Sequence, residues 1–130
     1  MKNLIEFFPE DFRNKNRYAW YSFQLDLKSI LGKIKRQFFR PEFPKKSQIN
    51  LHLGCGSIDH PDYINIDGLA GKHIHYVRDI SDLSIFKNES VDLIYACHCL
   101  EHFSHKKTPQ VLAEWHRTLK QGGILRISVP

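Results

Sequence analysis

The sequence lacks any long apolar run, and this absence limits where the protein can reside. None of its apolar segments reaches the roughly 18 to 20 residues that a membrane-spanning helix needs. The uninterrupted apolar stretch of a secretory signal peptide is also missing, because acidic residues stand among the first eleven positions, at Glu6, Glu10 and Asp11. We therefore expect a cytoplasmic protein.

Cysteine is scarce, which argues against a fold held together by disulfides. The three cysteines are Cys55, Cys97 and Cys99, an odd number, and a single residue separates the last two. Reduced thiols fit a cytosolic compartment.

The charge of the chain is unevenly distributed. The net charge is +5, but residues 1–48 hold eleven Lys/Arg and five Asp/Glu (+6), whereas residues 49–130 hold eight and nine (−1). A nucleic-acid-binding domain would carry basic residues across its binding face, so we expect no nucleic-acid partner. A length of 130 residues with 42% hydrophobic residues fits one folded domain.

A basic helical extension is predicted to precede this domain. The segment Pro41–Ser47 (PEFPKKS) reads as a linker and gives a boundary between residues 1–48 and 49–130. Upstream, basic residues alternate with apolar residues at helical spacing: Trp20, Phe23, Leu27, Ile30, Ile34 and Phe38. This amphipathic helix either packs on the main domain or a partner chain, or makes peripheral contact with the inner face of a membrane.

After the linker, short β-branched runs alternate with turns in the manner of an α/β protein. The predicted strands are Ile49–Gly54, Tyr63–Asp67, His73–Asp79, Val91–His98 and Ile124–Val129. A helix is predicted between the last two strands, with Thr108 as N-cap, Pro109 at the first helical position and Gly122 and Gly123 as its end. Its predicted buried stripe is Leu112, Trp115 and Leu119.

Three predicted strand ends carry groups suited to a nucleoside. Gly54 and Gly56 allow a tight turn and close approach of a ligand to the backbone after the first strand. Asp67 ends the second strand, where a carboxylate can accept both hydroxyls of a ribose. Asp79 follows the third strand and can pair with an adenine amino group, while Ile80 packs on the ring.

These segments resemble the class I S-adenosylmethionine-dependent methyltransferases, most nearly the bacterial members associated with polysaccharide and glycan biosynthesis. The similarity covers residues 49–130 and rests on LHLGCGS (51–57), NID (65–67), RDISDL (78–83), VDLIYACHCLEHF (91–103) and WHRTLKQGGILRISVP (115–130). It implies a Rossmann-like α/β fold with a parallel sheet of order 3-2-1-4-5 flanked by helices. It also implies S-adenosylmethionine as cofactor and a small molecule or glycan as methyl acceptor.

The resemblance assigns site residues as well. Asp67 corresponds to the ribose ligand, Asp79 and Ile80 to the pair beside adenine, and His98 to a position beside the methyl donor. Four residues match the first motif, whose backbone contacts the methionine part of the cofactor: Leu53, Gly54, Cys55 and Gly56.

Two departures from the family pattern stand out. About eight residues separate the first motif from the second strand, which is too short for a complete crossover helix, so a turn or a single helical coil is expected there. The family's last helix and strands have no counterpart after SVP (128–130), so we expect a truncated domain. Its fifth strand would be an open edge, covered by a partner or a second copy.

If the acceptor is a hydroxyl, a base would assist methyl transfer, and four candidates follow the fourth strand. His98 and His102 are the preferred catalytic residues, ahead of Glu101 and His105. Two other hypotheses remain open. One is a zinc site formed by Cys97, Cys99, His102 and His105, although its spacing matches no standard finger. The other is a non-catalytic module that docks on a partner or membrane.

Overall fold

The computed structural model describes residues 25–28, 30–35 and 41–130. Residues 25–28 and 30–35 are helical, and they form part of the predicted basic helix. Trp20, Phe23 and Phe38 of that prediction lie outside the described residues. Within the described ranges, no helix is long and apolar enough to cross a membrane.

A five-stranded parallel sheet forms the centre of the fold and confirms the predicted α/β class. The strands are β1 (Asn50–Leu53), β2 (Ile64–Asp67), β3 (Tyr76–Val77), β4 (Val91–Cys97) and β5 (Leu119–Ser128). Their order is β3-β2-β1-β4-β5, which is the predicted 3-2-1-4-5 arrangement. All four neighbouring pairs are parallel. The order reverses at β1, so a ligand cleft is expected at the carboxyl ends of β1 and its neighbours.

One face of the sheet builds the hydrophobic core. Leu51 and Leu53 of β1 pair in register with Ile94 and Ala96 of β4, and all four side chains are fully buried. Alternate residues of a strand share a face, so these four project to the same side. There they pack with Trp115, which is also fully buried, in the α-helix Thr108–Thr118. This helix is therefore fixed to the sheet by its apolar stripe.

The ends of this helix differ from the prediction. Thr108 is not the N-cap, because the helix begins at Thr108 itself with Lys107 before it and without a side-chain cap. The Thr108 hydroxyl instead donates to the carbonyl of Ser104, at 3.0 Å. The helix ends at Thr118, before Gly122 and Gly123. Its buried residues are Val111, Trp115 and Thr118, while Leu112 is only partly buried and Leu119 is buried at the start of β5.

Gly122 and Gly123 belong to an irregular part of β5. Val91 of β4 pairs with Leu119, but two residues later Leu93 pairs with Ile124, so β5 contains three extra residues between these pairs. The two glycines lie within this extra segment. They shape a bulge in the strand and do not terminate the helix.

The predicted linker Pro41–Ser47 packs against the outer strands. The Phe43 ring lies 4.9 Å from the His75 ring and 5.8 Å from that of Tyr76, measured between centroids. His75 Nδ1 accepts the Asn65 N–H at 2.9 Å, so its Nε2 carries the proton and donates to the Glu42 carbonyl at 3.0 Å. This segment is therefore attached to the sheet near β3.

The helix Thr108–Thr118 also holds the segment that connects β3 to β4. The Arg117 guanidinium donates to the carbonyls of Leu83 and Phe86, at 3.2 and 3.1 Å, and to the Asn88 side chain, at 2.7 Å. Glu114 pairs with Arg117 at 2.7 Å and accepts the N–H of Leu83 at 3.0 Å. Arg117 lowers the pKa of the Glu114 carboxyl. Loop and helix thus form one unit.

We expect Arg117→Met to lower the free energy of unfolding by about 2 kcal/mol at neutral pH, because several partly buried acceptors lose a charged donor. The folded-state pKa of Glu114 is depressed, so the part of this loss that comes from the Glu114–Arg117 pair exists above the ordinary value of 4.5 and disappears as the pH falls through the depressed pKa. The part that comes from the Leu83 and Phe86 carbonyls does not depend on pH. Urea unfolding at several pH values measures the effect. The control is Lys106→Met, at an exposed position. An equal loss at all pH values would contradict this account.

Candidate functional site

The loops that follow β1, β2, β3 and β4 surround a single cleft at the carboxyl edge of the sheet. Its volume is about 620 Å³. The lining residues come from all four strand ends and include two carboxylates, two imidazoles and an aromatic ring: Gly54, Asp67, Gly68, Leu69, Arg78, Asp79, Ile80, His98, Cys99, His102 and Phe103.

Most of the predicted site residues meet at this cleft. Five of the eight cofactor candidates line it, Gly54, Asp67, Asp79, Ile80 and His98, as do both catalytic candidates, His98 and His102.

The other three candidates, Leu53, Cys55 and Gly56, do not line the cleft. Leu53 and Cys55 are buried beneath it, at 0% and 2% exposure. Burial raises the pKa of the Cys55 thiol to about 12. Gly56 lies in the same loop, and its N–H already donates to the Asp67 carboxylate. The side chains of Leu53 and Cys55 are therefore part of the core and would not touch a ligand in the cleft.

Gly54 makes the turn between β1 and the cleft. Its φ is +63°, in the left-handed region that side chains disfavour. A Cβ added at Gly54 would lie 2.7 Å from the Cβ of Cys99, which follows β4. Cys99 is buried, and its thiol lies 3.6 Å from the Leu53 carbonyl. The loops after β1 and β4 therefore touch here, and only glycine fits between them.

Asp67 at the end of β2 is held by two backbone donors. Its Oδ2 accepts the N–H of Gly56 at 2.9 Å, and its Oδ1 accepts the N–H of Leu69 at 2.8 Å. An ionised carboxylate has about four acceptor positions, so each oxygen keeps one for a ligand. The arrangement can accept two neighbouring hydroxyls.

Asp79 after β3 is a second fixed carboxylate. Its Oδ1 accepts the N–H of Ser81 at 2.8 Å, and the Lys107 ammonium lies 3.6 Å from its Oδ2. The Ser81 hydrogen bond, with a smaller contribution from Lys107, lowers the pKa of the Asp79 carboxyl. The group is therefore ionised at neutral pH and can accept hydrogen bonds from an amino group, beside the buried side chain of Ile80.

His98 stands at the opposite side of the cleft, directly after β4. Its φ is +50°, which is uncommon for a residue other than glycine and is concentrated at functional sites. The N–H of His98 donates to the Ser128 carbonyl at 2.9 Å, and its Nδ1 lies 3.5 Å from Glu101 Oε1. The side chain is 60% exposed, so a substrate can reach it. Of the alternative base candidates, neither Glu101 nor His105 lines the cleft.

Several other lining residues could not be selected from the sequence alone. Arg78 precedes Asp79, and its guanidinium donates to Asp82 and to the Ser84 hydroxyl. Leu69 and Phe103 add apolar surface to the cleft. The RDISDL and CLEHF segments contain Arg78 and Phe103, but only the folded chain brings them together.

The zinc hypothesis gains no support. In the part of the chain that the structure describes, no group of three or more His, Cys, Asp or Glu side chains is arranged to hold a metal ion. Cys99 is buried, and burial raises the pKa of its thiol to about 11.

Comparison with known protein families agrees with the fold. Residues 65–127, just under half of the chain, match a family model described as a methyltransferase domain. The match supports the class I S-adenosylmethionine-dependent family that the motifs resemble, whose domains normally bind S-adenosylmethionine. No curated protein matches the chain at a significant level.

Substitution of Gly54 and Gly56 by alanine tests the contact between the β1 and β4 loops. Both glycines have positive φ, at +63° and +56°, but a Cβ at Gly56 meets nothing within 4 Å. Gly56→Ala should cost about 1–2 kcal/mol of stability from backbone strain. Gly54→Ala should cost about 1–3 kcal/mol more, because its Cβ also overlaps Cys99. Urea unfolding measures both, and equal losses would show that the loops do not touch.

Proposed function

We propose that this chain is a class I S-adenosylmethionine-dependent methyltransferase domain and that the cofactor binds in the cleft at the ends of β1 to β4. The single observation that carries the proposal is the position of three ligand-binding elements around one cavity. The glycine turn at Gly54, the Asp67 carboxylate and the Asp79 carboxylate come from three adjacent strands. Their chemistry suits a nucleoside with an attached amino-acid chain.

The residues of the cleft fit the cofactor. Asp67 would accept the two ribose hydroxyls with the acceptor positions that Gly56 and Leu69 leave free. Asp79 would accept the adenine amino group, while Ile80 supports the ring. The turn at Gly54 leaves backbone close to the cleft for the methionine part. When bound, S-adenosylmethionine supplies a methyl group activated by a sulfonium.

The acceptor would enter from the side of His98 and His102. The cleft would align an acceptor hydroxyl with the activated methyl group, which would pass from the sulfonium to the acceptor oxygen. One of these imidazoles would take the hydroxyl proton as general base. His98 is the better placed of the two, because its side chain is 60% exposed and its Nδ1 lies 3.5 Å from Glu101 Oε1, which can orient the ring. Phe103 would limit the access of water.

We further propose a small molecule or a glycan as the acceptor, in line with the resemblance to glycan-associated members. A cytoplasmic location fits such a reaction. The basic helical extension would serve as a contact to a partner or to the inner membrane face. The edge of β5 would be covered by a partner or a second copy, because Ile124, Ile127 and Val129 are exposed there.

Asp67→Asn tests the proposed cofactor site. The substitution keeps the shape of the side chain but removes the charge and one acceptor oxygen. We expect the affinity for S-adenosylhomocysteine, measured by isothermal titration calorimetry, to fall about ten- to hundredfold. Asp62→Asn is the matched control, because Asp62 pairs with Lys46 and does not line the cleft.

A ligand that binds only the native state raises its melting temperature. Excess S-adenosylhomocysteine should therefore raise the melting temperature of the wild-type chain and of Asp62→Asn, and should do so much less for Asp67→Asn. A wild-type chain that neither releases heat nor gains thermal stability with this ligand would refute the proposed function.

A further inference from the structure

A buried indole reaches from the helix Thr108–Thr118 to the loop that carries Asp79. Trp115 is fully buried in the core, and its Nε1–H donates to the carbonyl of Ile80 at 2.8 Å. Trp115 does not line the cleft, so it would not touch a ligand there. Ile80 does line the cleft, and its carbonyl faces the opposite way, into the protein.

The Ile80 carbonyl belongs to the same peptide unit as the Ser81 N–H. That N–H donates to Asp79 Oδ1 at 2.8 Å. A trans peptide unit is planar, so the direction of its carbonyl determines the direction of its N–H. The indole bond to the carbonyl therefore also fixes the donor that orients the Asp79 carboxylate. A carbonyl that accepts a hydrogen bond also polarises its amide and strengthens the N–H as a donor.

We propose that Trp115 is a positioning residue that aims the Asp79 carboxylate at the amino group of an adenine ring and so makes the site selective for adenine over hypoxanthine. The inference rests on the proposed function, since it assumes that Asp79 receives the purine. Adenine presents an amino donor at the position where hypoxanthine has a carbonyl oxygen. A carboxylate fixed toward that position accepts a bond from adenine and repels hypoxanthine.

Lys107 does not orient the Asp79 carboxylate in the same way. Its ammonium lies 3.6 Å from Oδ2 on a flexible, half-exposed side chain, and it also lies 5.1 Å from the centroid of the Phe103 ring. An exposed lysine holds a carboxylate weakly. The backbone hydrogen bond from the Ser81 N–H is the largest cause of the lowered pKa of Asp79, ahead of the Ser81 side chain and of Lys107. The orientation of the carboxylate therefore depends mainly on the Ile80–Ser81 peptide unit.

The test removes the indole N–H without changing the shape of the side chain. Benzothienylalanine, incorporated at position 115 alone, replaces the N–H by sulfur and retains the ring system, and Trp115→Phe is the simpler second variant. Isothermal titration calorimetry gives the affinities for S-adenosylhomocysteine and for S-inosylhomocysteine. We expect the wild type to prefer the adenine ligand about tenfold or more, and each variant to lose at least about threefold of that preference.

Thr118→Val is the matched control. The Thr118 hydroxyl is buried in the same helix and donates to the carbonyl of Trp115 at 2.8 Å, so its loss weakens the same part of the core. It leaves the bond from Trp115 to Ile80 in place. We expect this variant to lose stability and to keep the full preference for the adenine ligand.

The ratio of the affinities for the two ligands distinguishes a positioning role of Trp115 from a merely structural one. If a variant at position 115 binds both ligands more weakly by the same factor, or keeps the wild-type preference, the inference is wrong. A wild type that binds both ligands equally would also overturn it while leaving the proposed cofactor site intact. A wild type that binds neither ligand would refute the proposed function itself.

Discussion

The hydrogen bond from the Gly56 N–H to the Asp67 carboxylate is the constraint on which the cleft depends. At 2.9 Å it joins the loop after β1 to the end of β2, which are neighbouring strands of the sheet. The left-handed φ of Gly56, +56°, belongs to the turn that presents this N–H. The bond fixes the Asp67 carboxylate in place before any ligand arrives. Binding then needs little reorganisation, which favours affinity.

The short connection from β1 to β2 is held together by local bonds, as the length of the loop led us to expect. No helix forms between Leu53 and Ile64. The N–H of Ile58 donates to the Cys55 carbonyl at 3.0 Å, and the Asn65 side chain donates to Asp59 at 3.2 Å. The backbone N–H and C=O groups of a short loop without a helix still need hydrogen-bond partners. The turn closed by Ile58 and Cys55 supplies one such bond. The site consequently lacks the helix dipole that a longer crossover would supply.

The five strands were predicted near their observed positions because short β-branched runs between turns favour strands, and the resemblance supplied their order. Their bounds were less predictable, since β3 is only Tyr76–Val77 and β5 begins earlier than predicted, at Leu119. The position where the helix ends could not be predicted in this way. Gly122 and Gly123 are helix terminators by local preference, yet the pairing of β5 with β4 uses them for a bulge. Similarly, a motif marks Leu53 and Cys55 but cannot show that only the backbone beside them approaches the cleft. Such outcomes depend on contacts between distant segments, which no local pattern contains.

The helix Thr108–Thr118 connects the two sides of the cleft. At its start, Lys107 lies near both Asp79 and Phe103. Further along, Trp115 holds the peptide unit that orients Asp79. The Lys107 side chain is half-exposed and flexible, whereas the Trp115 indole is fully buried in the core. The helix therefore constrains the Asp79 loop mainly through the indole, from within the core.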